Sequence, residues 1–190
     1  MSYRLRLVRE ADLEMVMRWR MLPEVTKYMY TDPQLTIEQQ RAWYERMATS
    51  ERDRVWIIES IDEAGAAQSI GLLSLSEIDW TNRRCAWAYY LGETSARGIG
   101  LAKSLELTIY AYVFDTLGLN KLWCEVFSFN DRVVALHEKF GSKVEGVARQ
   151  HIFKNGEWFD VVRMGILKSE WDSLRDKWTW TPIEIESRPA

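Results

Sequence analysis

Two glycines separated by one residue carry the strongest chemical signature in this sequence. Gly98 and Gly100 lie where a loop becomes the longest expected helix, and Arg97 precedes them. Glycine lets the backbone approach a ligand closely, and the free N–H groups of a first helical turn attract anions. The arrangement predicts a diphosphate site. A glycine-softened helix start is the alternative, because a Gly-x-Gly pair alone is a weak motif.

Two common nucleotide-binding motifs do not fit this segment. Lys103 occupies the third glycine position of the dinucleotide-binding fingerprint. The preceding strands also form a predicted meander, whereas that fingerprint needs a β-α-β unit. The Gly-Lys-Ser/Thr sequence of the phosphate-binding P-loop is absent. The predicted diphosphate site is therefore of another kind.

Glu125 is the candidate general base. It alternates with Trp123 and Phe127 along a predicted strand, so the three side chains share one face. A carboxylate between two aromatic rings is costly when buried, and such a site suits proton acceptance. A solvated edge glutamate or a structural ion pair is the alternative. Ser74 and Ser76 are candidates for a proton relay, with ordinary polar strand residues as their alternative.

Composition and charge limit the classes of function. The chain has 190 residues and a formal net charge of −3, which predicts one domain over residues 1–190 and argues against nucleic acid as a partner. Two cysteines and two histidines are too few for a disulfide framework or a structural metal site. Cys85 and Cys124 are interpreted as buried thiols rather than nucleophiles. Without a signal peptide or long apolar run, we expect a cytoplasmic protein that binds no membrane.

The elements that position these residues follow from periodicity and turn signals. Three consecutive strand patterns form a meander, and a single β-α-β crossover follows. This order predicts an α+β fold with a mixed, mostly antiparallel sheet of about seven strands flanked by helices. The predicted strands are 3–9, 55–60, 69–78, 84–91, 121–127, 143–153 and 158–167. One predicted helix begins at Asp12 and ends at Pro23. The others are predicted over about 37–49, from 98 to about 117, from Asn130 to Phe140 and over about 169–177.

Two motifs in this order resemble those of the GNAT N-acetyltransferases. The segment from Ser95 to Ala102 resembles the family's Gln/Arg-x-x-Gly-x-Gly/Ala acetyl-CoA loop. The segment from Asn130 to Ser142 resembles Asn-x-x-Ala-x-x-Leu-Tyr-x-Lys-x-Gly-Phe, with His137 at the tyrosine position. The resemblance covers roughly residues 3–168. It implies acetyl-CoA as cosubstrate and direct acetyl transfer to an amine, without a metal.

The resemblance also implies roles for particular residues. In that family the last strand of the meander parts from the next strand, and the pantetheine arm runs between them. Backbone groups of Tyr89–Leu91 would then bind the arm and polarise the thioester carbonyl. His137 would protonate the leaving thiolate as an imidazolium, with a packed helix-flank histidine as the alternative. The implied acetyl-CoA contacts are Tyr89, Tyr90, Leu91, Ser95, Arg97, Gly98, Ile99, Gly100, Leu101, Ala102, Asn130 and Lys139.

The acceptor region is expected to be rich in aromatic and basic side chains. In GNAT proteins the N-terminal helices and the last hairpin shape this site. Flat rings suit sugars and bases, and arginines suit phosphates. Packing of the helices on the sheet is the alternative for several of these rings. The candidate acceptor-binding residues are Arg18, Arg20, Tyr28, Tyr30, Trp43 and Trp158.

A narrower resemblance concerns the substrate. The segments Arg9–Arg20, Pro23–Val25, Tyr28–Thr31 and Thr36–Trp43 resemble the nucleotide-amino-sugar N-acetyltransferases of pseudaminic acid biosynthesis, which serves flagellin glycosylation. That branch acetylates the 4-amino group of a UDP-linked 4-amino-4,6-dideoxy-N-acetyl-L-altrosamine. A ribosomal-protein or peptide N-terminal acetyltransferase and a non-catalytic acetyl-CoA-binding module are the alternatives. A homodimer is also compatible with the sequence.

Overall fold

The computed structural model describes residues 2–93 and 100–188. Their Cα atoms form two compact units. The first contains the chain up to Ser76, the segment from Ala88 and the segment from Ile183; the second contains Glu77–Trp87 and Gly100–Pro182. The strands are β1 (Ser2–Leu7), β2 (Arg54–Ile61), β3 (Ala67–Asp79), β4 (Arg84–Leu91), β5 (Lys121–Phe127), β6 (Lys143–Lys154), β7 (Glu157–Leu167) and β8 (Glu184–Ile185). The α-helices are α1 (Leu13–Arg20), α2 (Pro23–Thr26), α3 (Ile37–Thr49), α4 (Leu101–Ala111), α5 (Asp131–Lys139) and α6 (Lys168–Leu174).

The strands form one mixed sheet in the order β6-β7-β5-β4-β3-β2-β1-β8. Strands β1–β2, β2–β3, β5–β7 and β6–β7 pair antiparallel, whereas β4–β5 and β1–β8 pair parallel. The parallel pairing of β4 with β5 covers Arg84–Ala86 and Lys121–Trp123. This confirms the predicted α+β fold with a mostly antiparallel sheet. The sheet has eight strands instead of about seven, because the two-residue β8 is too short to show a periodicity.

In the first unit, a hydrophobic cluster packs α1 and α3 on β2 and β3. The cluster consists of Val8, Leu13, Val16, Trp19, Met47, Val55, Ile57 and Leu72. On β2, Trp56 is fully buried and donates its Nε1–H to the Glu186 carbonyl at 2.9 Å. This bond holds the C-terminal segment beside β1, next to the parallel strand β8.

A buried charge cluster in the first unit replaces one predicted helix cap. Arg6 donates to Glu59 at 2.7 Å and to Asp12 at 2.9 Å, and Arg4 donates to Glu59 at 2.6 Å. Asp12 also accepts the backbone N–H of Arg9 and makes no side-chain cap bond to α1. Burial alone would raise the pKa of Asp12 and Glu59, but the hydrogen bonds from the arginines outweigh it and lower both.

Helix boundaries differ from expectation at two points. Pro23 begins the short helix α2, because proline has no N–H to lose at a first helical position. The longest helix begins at Leu101 rather than Gly98 and continues beyond Ala111 as a π-helical turn over Tyr112–Thr116. Gly100 occupies its N-cap with φ +73°, a left-handed conformation that glycine adopts readily.

The second unit is built on the hairpin of β6 and β7 and on helices α4, α5 and α6. Asn155 and Gly156 have φ of +52° and +83°, as a tight hairpin turn requires, which confirms the predicted turn. Trp171, Tyr110 and Phe114 are almost fully buried and fill its core. Strand β6 is exposed along nearly its whole length.

Candidate active site

The N-terminus of α4 matches part of the predicted diphosphate site. Gly100 is exposed, and a Cβ placed on it would meet no atom of the described residues within 4 Å. Leu101 anchors the first turn in the core, and that turn carries no acidic residue. Such a turn presents free N–H groups and the positive end of the helix dipole, which fits a phosphate. The predicted contacts Ser95, Arg97, Gly98 and Ile99 lie outside the described residues.

His137 lies in a buried polar cluster that joins α4 and α5. Its side chain is 4% exposed, and its Nδ1 is 2.9 Å from Oε1 of Glu106, which is completely buried. The same oxygen accepts the hydroxyl of Tyr110 at 2.5 Å, and that hydroxyl is 3.1 Å from Ser142 Oγ. His137 is therefore packed in the interior, as its alternative interpretation predicted, and its role as a proton donor remains a prediction.

The surroundings of His137 favour the charged imidazolium. Burial alone would lower the pKa of His137, but hydrogen bonds with Cys124 and Glu106 and the Glu106 charge raise it to about 10. The ring edge also packs on Trp87, with the two centroids 5.4 Å apart. His137 thus holds its proton throughout the physiological pH range.

Glu106 and Tyr110 are functional candidates that the sequence reasoning missed. The available signal was a carboxylate within the most apolar helix, between Leu105 and Leu107. Cys124 is a buried thiol, as predicted, and it hydrogen-bonds His137, which is distant in sequence. Cys85 is a buried thiol whose pKa burial raises to about 12, which makes it unreactive.

Glu125 lies on β5, directly opposite Arg163 of β7. The guanidinium carbon of Arg163 lies 4.0 Å from the ring centroid of Trp123, which shares the strand face with Glu125. Glu125 was expected to lie between two aromatic rings. In the structure the guanidinium of Arg163 also covers one of these rings, that of Trp123. Glu125 is half-buried. Its role as general base remains a prediction.

Two further predicted acetyl-CoA contacts lie on α5. Asn130 is the N-cap residue of this helix and is half-buried, but its side chain makes no cap hydrogen bond. Its carbonyl accepts the N–H groups of Val133 and Val134. Lys139 is exposed in the last turn, with Nζ 5.8 Å from the Phe140 ring centroid. Both contacts remain predictions.

In the first unit, two buried polar atoms near the end of β4 have no hydrogen-bond partner among the described residues. They are the Tyr90 hydroxyl and Nη1 of Arg20. Burial raises the pKa of Tyr90, and the nearby charge of Arg20 lowers it only in part, so the phenol remains protonated. The Tyr90 ring packs against the hydrophobic cluster of this unit. The Tyr90 hydroxyl and this one guanidinium nitrogen are thus left as hydrogen-bond donors, whereas Nη2 of Arg20 donates to Thr31 Oγ1 at 3.4 Å.

Other acceptor-side predictions meet different outcomes. Tyr28 and Tyr30 are exposed, and Arg18 is exposed on α1. Trp43 packs against the hydrophobic cluster, as its alternative interpretation predicted. Trp158 is exposed on the hairpin, with its ring 4.9 Å from that of Phe153.

Trp19, which lies between Arg18 and Arg20 on α1, is a structural residue. Its ring is 1% exposed and lies flat on Gly92, where a Cβ would come within 2.2 Å of the indole. Its Nε1–H donates to Glu93 at 2.9 Å. The proposed relay is not tested: Ser76 is half-buried on β3, and Ser74 points its hydroxyl at the Ala88 carbonyl, 3.5 Å away.

Over residues 2–93 and 100–188, no group of three metal-ligating acids, histidines or cysteines is present. Within the same ranges, no helix has the length and apolar character needed to cross a membrane.

Several known proteins are similar to this chain in sequence and in fold. The acetyltransferase (GNAT) domain family matches residues 3–143. The spermidine N(1)-acetyltransferase of Vibrio cholerae is 26% identical over 167 residues, which are 88% of this chain and 94% of the relative. The putative ribosomal N-acetyltransferase YdaF of Bacillus subtilis is 33% identical over 103 residues, 54% of this chain and 55% of the relative.

A solved structure extends this likeness to the whole fold. The crystal structure of the Vibrio cholerae spermidine N-acetyltransferase with CoA and spermine has a TM-score of 0.81 and 25% identity, and it covers 90% of this chain and 98% of that one. The family match spans most of the chain, and the anion-ready start of α4 agrees with it. The chain belongs to the GNAT family and is an N-acetyltransferase that uses acetyl-CoA.

Proposed function

We propose that this enzyme transfers an acetyl group directly from acetyl-CoA to the amine of an acceptor that also carries an anionic group. The candidate acceptor is the 4-amino group of a UDP-linked 4-amino-4,6-dideoxy sugar, as in pseudaminic acid biosynthesis. The sequence resemblance supports the sugar, and the first unit of the structure supports the anion. Residues 1–190 act as a single catalytic domain in this proposal.

The observation that carries the proposal is that Arg20 Nη1 and Tyr90 OH, both buried, have no hydrogen-bond partner in the part of the chain that the structure describes. A buried polar group without a partner costs about 1–3 kcal/mol, and more when it is charged. Both atoms are donors at neutral pH, so an anionic oxygen such as that of a phosphate would satisfy them together. Exposed Arg18 lies on the same helix, α1, and adds to the positive charge.

A polyamine is the second candidate acceptor, and the comparisons favour it. The relatives from Vibrio cholerae and Escherichia coli K12 are spermidine N(1)-acetyltransferases, and each aligns with most of this chain. At 25–26% identity, the acceptor can differ while the fold and the acetyl donor are retained. A polycation would also be repelled by the positive charge of Arg20. The anionic acceptor is therefore preferred here.

The proposed chemistry uses two side chains of the second unit. Glu125, directly or through a water molecule, accepts the proton that the amine loses as its nitrogen bonds to the acetyl carbon. His137 donates a proton to the sulfur as the carbon–sulfur bond of the thioester breaks. The acceptor amine becomes an amide and the thioester becomes a free thiol, so both protons are accounted for. In the first unit, the backbone of Tyr89–Leu91 would bind and polarise the acetyl donor.

The test measures thiol release from acetyl-CoA with three classes of acceptor: UDP-4-amino sugars, spermidine with spermine, and short peptides. We expect turnover with the nucleotide sugars. Release only with polyamines or only with peptides would replace the proposal by the corresponding alternative. Absence of release with every acceptor, together with acetyl-CoA binding, would favour a non-catalytic binding module.

A variant pair isolates the anion contact. Arg20→Met removes the guanidinium, including Nη1, but keeps most of the aliphatic part of the side chain. We expect KM for the nucleotide sugar to rise at least about tenfold, from loss of a charged hydrogen bond, while KM for acetyl-CoA is unchanged. Arg46→Met removes an exposed arginine from α3 and serves as the matched control. Equal effects of the two changes would contradict the proposed contact.

We also propose that the chain self-associates, at least as a homodimer. Val144 and Val147 are 45% and 53% exposed on β6, which is an edge strand of the sheet. Long exposed edge strands with apolar side chains are prone to pair with another chain. The Vibrio cholerae spermidine N-acetyltransferase has also been solved as a dodecamer. Light scattering after size-exclusion chromatography tests this, and a monomer at micromolar concentration would contradict it.

A further inference from the structure

Glu106 is the most deeply buried acid among the described residues, and no expected step of the reaction uses it. Its residue exposure is 0%, and it lies in α4 between two fully buried leucines, Leu105 and Leu107. An ionised carboxylate in such a site is strongly unfavourable unless a cation and hydrogen bonds compensate it. Its partners therefore decide what it does.

The partners of Glu106 are concentrated on one carboxylate oxygen. Oε1 accepts the Tyr110 hydroxyl at 2.5 Å and lies 2.9 Å from His137 Nδ1, whereas Oε2 has no partner among the described residues. An O–H···O distance this short is typical of a charged acceptor. Burial and the Glu106 charge keep the pKa of Tyr110 well above its usual value, so the phenol remains a donor. One carboxylate oxygen thus faces both a phenol donor and an imidazole nitrogen.

We propose that Glu106 is a positioning residue for acetyl transfer: its carboxylate holds the Nδ1–H of His137, keeps the ring in its charged form, and so reserves the Nε2 proton for the departing thiolate. This inference rests on the proposed role of His137 as the proton donor. Glu106 itself touches neither substrate nor reacting atoms.

The dyad explains how a histidine serves where the family motif has a tyrosine. An ordinary imidazole has a pKa near 6.5 and is therefore mostly neutral at pH 8. A neutral ring carries a single N–H, so a ring that keeps its proton on Nδ1 has no proton on Nε2 to donate. Tyrosine has a reference pKa near 10. In this protein burial opposes the charge of His137, but Cys124 and Glu106 raise its pKa to about 10. The pair thus restores the acidity of the residue that it replaces.

The proton balance of the step is simple. As the carbon–sulfur bond breaks, the imidazolium gives its Nε2 proton to the sulfur and becomes a neutral imidazole. The Nδ1–H bond to Glu106 is retained throughout, so the ring keeps its orientation. The imidazole is then reprotonated from water, which also removes the proton that Glu125 received.

Cys124 of β5 is the other group whose hydrogen bond raises the His137 pKa, and it must be separated from Glu106. A thiol is a weak hydrogen-bonding group, whereas a carboxylate carries a full charge. Tyr110 reaches the same Glu106 oxygen as the ring, and Trp87 contacts the ring without titrating. Among the described residues these groups represent the elements whose side chains contact the imidazole, and variants of Tyr110 and Cys124 serve as matched controls.

The first experiment follows the imidazole nitrogens by NMR of the full chain labelled with ¹⁵N-histidine. Only two histidines exist, and exposed His151 is the internal reference. We expect His137 to be an imidazolium at pH 8 in the wild type and neutral at pH 8 in Glu106→Gln. Tyr110→Phe and Cys124→Ala should leave it charged at pH 8, because both retain the carboxylate.

Three results would overturn the proposal. A neutral His137 at pH 8 in the wild type would do so without any variant. An unchanged His137 titration in Glu106→Gln would also do so, as would a loss of the charge in Cys124→Ala rather than in Glu106→Gln. The titration needs no acceptor, so a wrong proposal about the substrate leaves it intact.

The second experiment measures kcat against pH with any amine that the enzyme accepts. A histidine ring with the ordinary pKa near 6.5 is about 1% protonated at pH 8.5. The kcat of Glu106→Gln should therefore be roughly 100-fold below that of the wild type at pH 8.5. At pH 6 the two kcat values should agree within about twofold. The combined change Glu106→Gln with His137→Tyr should recover activity at pH 8.5 relative to Glu106→Gln alone. A loss of equal size at both pH values would mean that Glu106 has a purely structural role.

Discussion

Pairing of His137 with Glu106 predicts a specific dependence of stability on pH. The perturbation is a change of pH from 6 to 10, applied to the wild type and to Glu106→Gln. The folded protein holds the His137 proton up to about pH 10, whereas the unfolded chain releases it near pH 6.5. A group with a raised folded-state pKa contributes stability that is complete below the unfolded pKa and is lost as pH rises through the folded pKa.

The magnitude follows from the two pKa values. Between about pH 6.5 and pH 10, each pH unit removes up to about 1.4 kcal/mol, so the upper limit for the whole interval is about 5 kcal/mol. Breaking a buried ion pair by removing one partner usually costs about 3–5 kcal/mol, which agrees. His137 is 4% exposed, so solvent screening does not reduce the effect greatly.

The assay is urea unfolding at five pH values between 6 and 10, followed by far-UV circular dichroism. We expect the free energy of unfolding of the wild type to fall by about 3–5 kcal/mol more than that of Glu106→Gln over this range. His151→Gln, at an exposed position, is the control for histidine removal. Parallel loss of stability in the wild type and Glu106→Gln would refute the reasoning, because the titration would then belong to other groups.

Three other changes have definite expected effects. Gly92→Ala places a Cβ about 2.2 Å from the Trp19 indole, so we expect a loss of about 2–4 kcal/mol in thermal or urea unfolding, and no loss would show that the ring can move freely. Glu59→Gln removes a buried partner of Arg6 and should lower the free energy of unfolding by about 2–3 kcal/mol at pH 7. Because the folded-state pKa of Glu59 is lowered, this difference from the wild type should shrink as pH falls from about 5 to 3. A difference that stays constant over this range would contradict the expectation. Gly100→Ala should cost about 1 kcal/mol from its φ of +73° and weaken acetyl-CoA binding in calorimetry, whereas unchanged affinity would remove this turn from the donor site.

Local signals predicted most of the fold. The Asn155-Gly156 turn and the strand β4 match the structure because each depends on a few neighbouring residues. Helix α3 begins at residue 37, as predicted. Thr36 and Gln39 form a capping box there, in which Gln39 N–H donates to the threonine hydroxyl at 3.4 Å. Pro23 was misjudged because proline is compatible with both a helix end and a helix start.

The candidate site was less predictable because its contacts are distant in sequence. Glu106 and His137 are separated by 31 residues and meet through packing of α4 against α5. No local pattern identifies such a pair, and the same is true of Cys124 beside the imidazole. The contact of Trp19 with Gly92 is equally hidden, because an aromatic residue on an amphipathic helix does not reveal which partner its ring will cover.

The contact of Trp19 with Gly92 and Glu93 has a consequence for how an acceptor is bound. The indole lies in the space that a glycine leaves open and is held there by a hydrogen bond of 2.9 Å, so α1 is fastened to the chain just after β4. Arg20 follows Trp19 directly, and Leu91 precedes Gly92. The proposed binding groups on α1 and at the end of β4 are therefore preorganised before any ligand arrives. Little conformational entropy is lost when they engage, and acceptors of another shape gain nothing by reshaping this part of the protein.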